Sequence, residues 1–350
     1  MSKRVRITIL KFAAIGDVTM ACRAIIQLAT KYGNLIEIDW IIDTHLVALT
    51  KALLAHHGIL QSLTIRWHTF NANNLFRGNG IQRAHETFQI LRAVKRAQPN
   101  AIAILHRDWR YRALIRAIFR GKMVSVNRSE KHEVSAYIST IERAIEFNVE
   151  ARSPAKSPSS EISPKNSTII PTSIGILIGG AQNQKGAFLE KKWPHFEALI
   201  DLILKQTNET IHLFGGVEDI GVGKKITGRF EQEHARIINH IGHSKLEEIP
   251  ALLAPLRVFI SIDSGLAHIA STVMNQDGQK IITIFGPTNS AIWKPLPSGN
   301  GLTILLTQKL DCAPCYKNDG NFQTCKFSGR DFQKCMTNIT ATEVFEKIKT

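Results

Sequence analysis

The 350-residue sequence predicts two α/β domains, each built on a parallel sheet, and three observations lead there. The chain is too long for one compact core and suits two domains of roughly 150 to 170 residues. Short apolar strands alternate with helical patterns, which indicates βαβ units and parallel strand pairing. The alternation stops over residues 151–171, where ARSPAKSPSSEISPKNSTIIP holds six Ser and four Pro, and then restarts. Such a composition is linker chemistry. The expected layout is a first domain over 1–150, a linker over 151–171 and a second domain over 172–350.

In the first half, VRITIL (5–10) reads as a buried strand and a helix follows from about Val18 to Tyr32. IEIDWII (36–42) is the next strand, with a helix through HLVALTKALLAH; Ile102 to Leu105 is another strand, with a basic helix around Tyr111 to Phe119. In the second half, SIGILIG (173–179), TIHLFGG (210–216), RVFISID (257–263) and KIITIFG (280–286) read as strands. WPHFEALIDLILKQ (193–206) is an amphipathic helix with Pro194 in its first turn, and another helix starts near Gly265.

The apolar fraction is 44% and the charged fraction 21%, an ordinary globular balance. No apolar run approaches the roughly 20 residues that a membrane-spanning helix needs. The opening MSKRVRITILKF has basic residues before an apolar stretch, but Lys11 and Asp17 interrupt it and no small-residue cleavage site follows. It reads as a strand, and the expected location is cytoplasmic. Net charge is +15 and unevenly placed: residues 66–131 hold 14 Lys and Arg against Glu86, Asp108 and Glu130. A field of that sign attracts polyanions such as nucleic acid, anionic lipid or a phosphorylated substrate. It also suits a plain solvated face, and no nucleic-acid recognition motif accompanies it.

The chemistry concentrates where strands hand over to helices. In Ile262-Asp263-Ser264-Gly265-Leu266-Ala267-His268 a strand ends at Asp263 and a helix begins at once. Free amides and the positive end of the helix dipole face outward there, and Gly265 lets an anion approach the backbone. In an open parallel sheet this is the edge at which ligands bind. The bland alternative is that Asp263 or Ser264 is a helix cap. Asp17, in Phe12-Ala13-Ala14-Ile15-Gly16-Asp17-Val18, stands at an equivalent junction of the first domain, where a carboxylate can serve as a general base or, equally, as a cap. Gly179-Gly180-Ala181, Lys191-Lys192-Trp193-Pro194 and Phe214-Gly215-Gly216-Val217-Glu218 fall on the same edge of the second sheet and suit a nucleotide-diphosphate pocket.

Several segments in one order resemble glycosyltransferase family 9, the bacterial heptosyltransferases of the lipopolysaccharide inner core. They are ILKFAAIGDV near the start, KHEVSAYISTIERAI (131–145), GGA…KKWPHFEALI (179–200), HLFGGVED, SIDSGLAHIAS, TIFGPTNSAIW and the cysteine tail ending in CMTNI. The resemblance implies a GT-B fold, with two Rossmann-like domains whose parallel sheets face each other across a cleft. It also implies inverting transfer, with no metal required for catalysis, of heptose from ADP-heptose to an anionic, lipid-linked inner-core acceptor. Peripheral contact with the cytoplasmic face of the inner membrane goes with such an acceptor.

Carried over by motif, Asp17 is the general base and Lys192 the contact that stabilises the leaving diphosphate. The spacer from Gln182 to Glu190 keeps Lys185 and Lys191 open as alternatives. Glu218 and Asp263 would bind the sugar parts of the donor, and the amides of Gly265, Leu266, Ala267 and His268 its phosphates; Ser264, and Gly180 and Ala181 of the small-residue loop, join the donor site. Thr288 would line the same pocket. The basic window supplies Arg112, Arg116 and Arg120 for the anionic acceptor. Cys312, Cys315, Cys325 and Cys335 are spaced to supply four thiolates to a structural zinc or iron, or to stand as free thiols. Two other functions stay open: a related transferase using another nucleotide sugar, and a catalytically silent nucleotide-sugar-binding protein.

Overall fold

The computed structural model describes residues 4–126, 132–149, 172–180, 182–183, 186–316 and 324–349. The predicted linker over 151–171, Ala181 and Lys185 lie outside the described residues. The chain forms two compact units, residues 1–166 and 167–350.

The first unit runs β1 (Val5–Leu10), α1 (Ile15–Tyr32), β2 (Ile36–Asp43), α2 (Val47–His56), β3 (Thr64–Phe70), α3 (Ala72–Arg77), α4 (Gly80–Ala97), β4 (Ala101–Ile104), α5 (Trp109–Arg116), β5 (Lys122–Ser125) and α6 (Glu133–Val149), with short turns between. The sheet order is β3-β2-β1-β4-β5 and every pairing is parallel. β1 is central, with Leu10 opposite Ile41 on one side and Ile104 on the other. Its apolar side chains are buried, as a strand covered by helices on both faces requires. On one face, Leu10, Phe12, Ile41 and Phe70 form a cluster with Ile90 and Val94 of α4 and Ile115 of α5, against which Leu75 of α3 also packs. α6 runs along β1, β4 and β5 and packs on α1. Helix α1 begins three residues earlier than its apolar pattern suggests, so Asp17 falls in its first turn, where the helix dipole favours a negative charge.

The second unit runs β6 (Ser173–Leu177), α7 (Phe196–Gln206), β7 (Thr210–Phe214), α8 (Ile220–Arg229), β8 (Ile237–Asn239), α9 (Ile249–Leu253), β9 (Val258–Ile262), α10 (Gly265–Val273), β10 (Lys280–Phe285), β11 (Leu302–Thr307) and α11 (Ala341–Lys349), with a two-residue hairpin and short turns besides. Its sheet order is β8-β7-β6-β9-β10-β11, again parallel throughout. In both units the strand order reverses beside the first strand, between β1 and β4 and between β6 and β9. Those reversals are where an open α/β sheet leaves a crevice at its carboxyl edge. α11 returns to pack on α7, and the Trp193 indole donates to the Ile339 carbonyl at 2.7 Å. No helix among the described residues is long and apolar enough to cross a membrane.

Candidate functional site

At the carboxyl edge of the second sheet, α10 starts directly after β9. The Ser264 hydroxyl accepts from the Ala267 amide at 3.3 Å, so Ser264 is the helix cap and Asp263 is released from that duty. The Asp263 carboxylate instead takes an ion pair from Lys191, with Nζ 2.9 Å from Oδ2. Burial pushes the Asp263 carboxyl up. The charge and hydrogen bond of Lys191, with the neighbouring Thr288 hydroxyl and His268, outweigh burial and hold it below the ordinary carboxylate value. A lysine, a carboxylate and the start of a nine-residue helix thus share one spot.

Two further strand ends on this edge are tied together by a residue that sequence spacing does not single out. Asp219 is buried, and its Oδ2 accepts from the amides of Gly180 at 3.1 Å and Gly216 at 3.0 Å. Gly180 sits at φ +87°, a conformation that favours glycine. A Cβ on Gly179 would stand 1.7 Å from the Asp219 carboxylate, so the backbone must pass without a side chain. The Gly180 amide, expected from sequence to meet phosphate, already has an internal anionic partner. Glu218 is exposed, its carboxylate lying over Gly216. Thr288, in the loop after β10, is buried.

The C-terminal cysteines brace the same edge. The Pro287 carbonyl accepts from the amides of Cys315 at 3.0 Å and Tyr316 at 2.8 Å. The Cys325 amide donates to Glu190 at 3.2 Å, and the Gln333 side chain donates to the Leu189 carbonyl. The loop carrying Lys191 and the loop before Thr288 are therefore held by one segment. Cys312, Cys315, Cys325 and Cys335 line a cavity of about 70 Å³. Burial and the other three sulfurs push the Cys335 thiol up to about 11. Among the described residues, however, no three His, Cys, Asp or Glu side chains are gathered as a metal-binding group.

In the first unit, Asp17 pairs with Lys11, Nζ to Oδ2 at 2.9 Å, and remains one-third exposed. Lys11 is buried at the end of β1 and lies 5.3 Å from the centre of the Tyr137 ring. Beside it the Phe12 amide donates to His106 Nε2 at 3.3 Å. Burial, then the charge of Lys11, lowers His106 well below its ordinary value, so it is a neutral acceptor. Arg107 donates to the buried Glu133 at 2.5 Å. These groups come from the segment after β1, the first turn of α1, the loop after β4 and α6, and converge at the strand-order reversal. Sequence reading named Asp17 but missed Lys11, His106, Arg107, Glu133 and Tyr137. The available signals were a lysine breaking an apolar strand end and a Glu–Tyr pair four residues apart.

The basic window divides. Arg66 is held by Asp39 and Glu37, Arg110 by Asp108, and the Arg116 guanidinium donates to the Arg120 and Gly121 carbonyls at 3.5 and 3.3 Å. Arg112 and Arg120 are exposed.

Two α/β units, each with a parallel sheet and charged groups at its strand-order reversal, give the chain a double Rossmann-like scaffold. Its fold is the GT-B fold of the heptosyltransferases. Escherichia coli ADP-heptose LPS heptosyltransferase II superposes with a TM-score of 0.64, at 16% identity over 99% of this chain and 98% of that one. E. coli heptosyltransferase WaaC with ADP gives 0.65, at 15% identity over 99% of each. The sequence pattern of glycosyltransferase family 9 (heptosyltransferase) matches residues 104–326, and the chain belongs to this family. Lipooligosaccharide heptosyltransferase 2 of Haemophilus ducreyi is 32% identical over 108 residues; the match spans 30% of each chain.

Proposed function

We propose that the chain is an inverting glycosyltransferase that moves a heptose from ADP-heptose to an anionic, lipid-linked inner-core acceptor at the cytoplasmic face of the inner membrane. The observation that carries this reading is the Lys191–Asp263 pair at the start of α10, where a diphosphate would meet a lysine and outward-facing amides together.

In this reading Asp17 takes the proton of the acceptor hydroxyl, and the oxygen attacks the anomeric carbon. The bond to the diphosphate breaks on the opposite face, so configuration inverts. Lys11 orients Asp17. Charge growing on the departing ADP is countered by a lysine of the 189–192 loop and by the amides of Gly265 and Leu266. The ion pair supports Lys191 for that lysine ahead of Lys192, which the family motif puts first. Asp263, Glu218 and Thr288 would meet the sugar and ribose hydroxyls, and Arg112 and Arg120 the anionic groups of the acceptor.

No metal takes part in this transfer. The four C-terminal cysteines are read as a structural site for zinc or iron, on the support that all four line one cavity. An ion would have to draw the sulfurs inward to bonds of about 2.3 Å. One zinc or iron per purified chain, lost in Cys312→Ser/Cys315→Ser, is the expected result; metal-free wild-type protein with reactive thiols sinks this part.

The donor is tested by thermal shift with ADP-, UDP-, GDP- and CMP-sugars. The true donor at 100 times its dissociation constant stabilises by about 2.7 kcal/mol. A shift with ADP-heptose and heptosylated acceptor by mass spectrometry is expected. A shift confined to another base overturns the donor, and binding without product overturns the enzyme.

A further inference from the structure

Helices α3, α4 and α5 pack on the same face of the first sheet through one apolar cluster, so their outward sides make one surface. That surface exposes large apolar side chains that the core does not use. Ile81 is 83% exposed, Trp109 71%, Phe88 59% and Phe76 39%. In α4 the exposed residues Ile81, His85, Phe88, Arg92 and Lys95 fall at helical spacing on one stripe, opposite buried Ile90 and Val94. The upper half of this stripe is apolar and the lower half cationic.

Charge on this layer has one sign. Arg83, Arg92, Lys95, Arg96, Arg112 and Arg120 are exposed. The layer from 72 to 122 has two acids: Glu86 is buried against the Asn71 amide, and Asp108 is paired with Arg110. In a parallel sheet the intervening helices run back against the strands, so the starts of α4 and α5 lie at the carboxyl edge. Ile81 and Trp109 therefore stand on the rim that also carries Asp17.

We infer that this face of α3–α5 docks on an anionic phospholipid bilayer, with Ile81, Phe88 and Trp109 entering the interface and the arginines meeting headgroup phosphates. Apolar side chains beside cations on one helical face are the chemistry of interfacial binding. Docking there sets the Asp17 edge against the headgroup layer, where a lipid-linked hydroxyl is presented; this purpose, though not the docking itself, rests on the transferase reading above.

Flotation with vesicles of phosphatidylglycerol and phosphatidylethanolamine, against pure phosphatidylcholine, tests it in the full chain. Wild type is expected to float with the anionic vesicles and be released by salt, since exposed charge contacts fade over a Debye length of about 10 Å at 0.1 M. Ile81→Ser/Phe88→Ser/Trp109→Ser should lose at least tenfold in vesicle partition, and Arg83→Gln/Arg92→Gln should lose the salt-dependent part. Thermal unfolding and ADP-heptose affinity should not move in either variant. Trp109 emission should shift to the blue on anionic vesicles, a change absent in Trp109→Phe. Wild type that stays in solution, or an apolar triple variant that floats like wild type, overturns the inference. Failure to bind any nucleotide sugar would overturn the transferase reading while leaving the flotation result standing.

Discussion

At the scale of single residues, the proposed chemistry rests on Asp17 and Lys191. Asp17→Asn keeps the size of the side chain and its place in the first turn of α1 but removes the proposed base. Turnover should fall about 10² to 10⁴-fold with donor affinity unchanged; a loss below tenfold assigns the proton to another group. Lys191→Ala should weaken both nucleotide-sugar binding and turnover, whereas Lys192→Ala should leave affinity within a few fold. The reverse pattern would restore Lys192 as the phosphate contact. Asp17 is legible in sequence because a carboxylate at a strand-to-helix junction is visible in the string of residues. The choice between two adjacent lysines is not, because it turns on the backbone of a short turn that sequence periodicity does not describe. Asp219 is hidden for a related reason: its partners are backbone amides of Gly180 and Gly216, and an amide leaves no mark in the sequence.

Elements differ in how openly they are written. β1, β2, β6, β7, β9 and β10 are runs rich in apolar residues, all but β1 closed by Gly or Asp, and each stands within two residues of where the pattern puts it. β3 (TIRWHTF) does not show itself so, because Arg66 and His68 point to Asp39 of β2 rather than to a core. β8 is three residues long and equally silent. There His240 stacks on His212 of β7 with ring centres 5.2 Å apart, Nδ1 to Nε2 at 3.0 Å. Burial, then the charge of His240, brings His212 down to about 4. The unfolded chain, titrating near 6.5, takes up this proton first as pH falls. Stability from the neutral pair is therefore whole above about pH 6.5 and lost on the way down to 4. Urea midpoints of His212→Asn should fall less steeply than wild type across that window; equal slopes would place the acid sensitivity at another histidine, such as His106, which burial also holds neutral.

For the whole molecule, net charge is the feature most legible in sequence, but its sum of +15 does not say which cations face a partner. Arg66, Arg107 and Arg110 are held by carboxylates within the first unit, and Arg116 by backbone carbonyls. Arg112→Gln/Arg120→Gln should raise the apparent KM for an anionic acceptor at low salt, with the difference closing at high salt and donor affinity unmoved. Acceptor kinetics unaltered at low salt would reduce these arginines to a solubilising surface. The Gly179–Asp219 contact acts across the second unit in another way, by limiting how the sequence can drift. Gly179→Ala drives a methyl into the carboxylate, and Asp219→Ala leaves two amides without their acceptor, at about 1–3 kcal/mol for each one buried. Together the changes relieve the clash, so the double variant should lose clearly less stability than the two single losses added. Additive losses would show the positions to be independent. Coupled, they form a locked pair: over the history of such a chain, position 179 becomes free to accept a side chain only after position 219 has given up its acid.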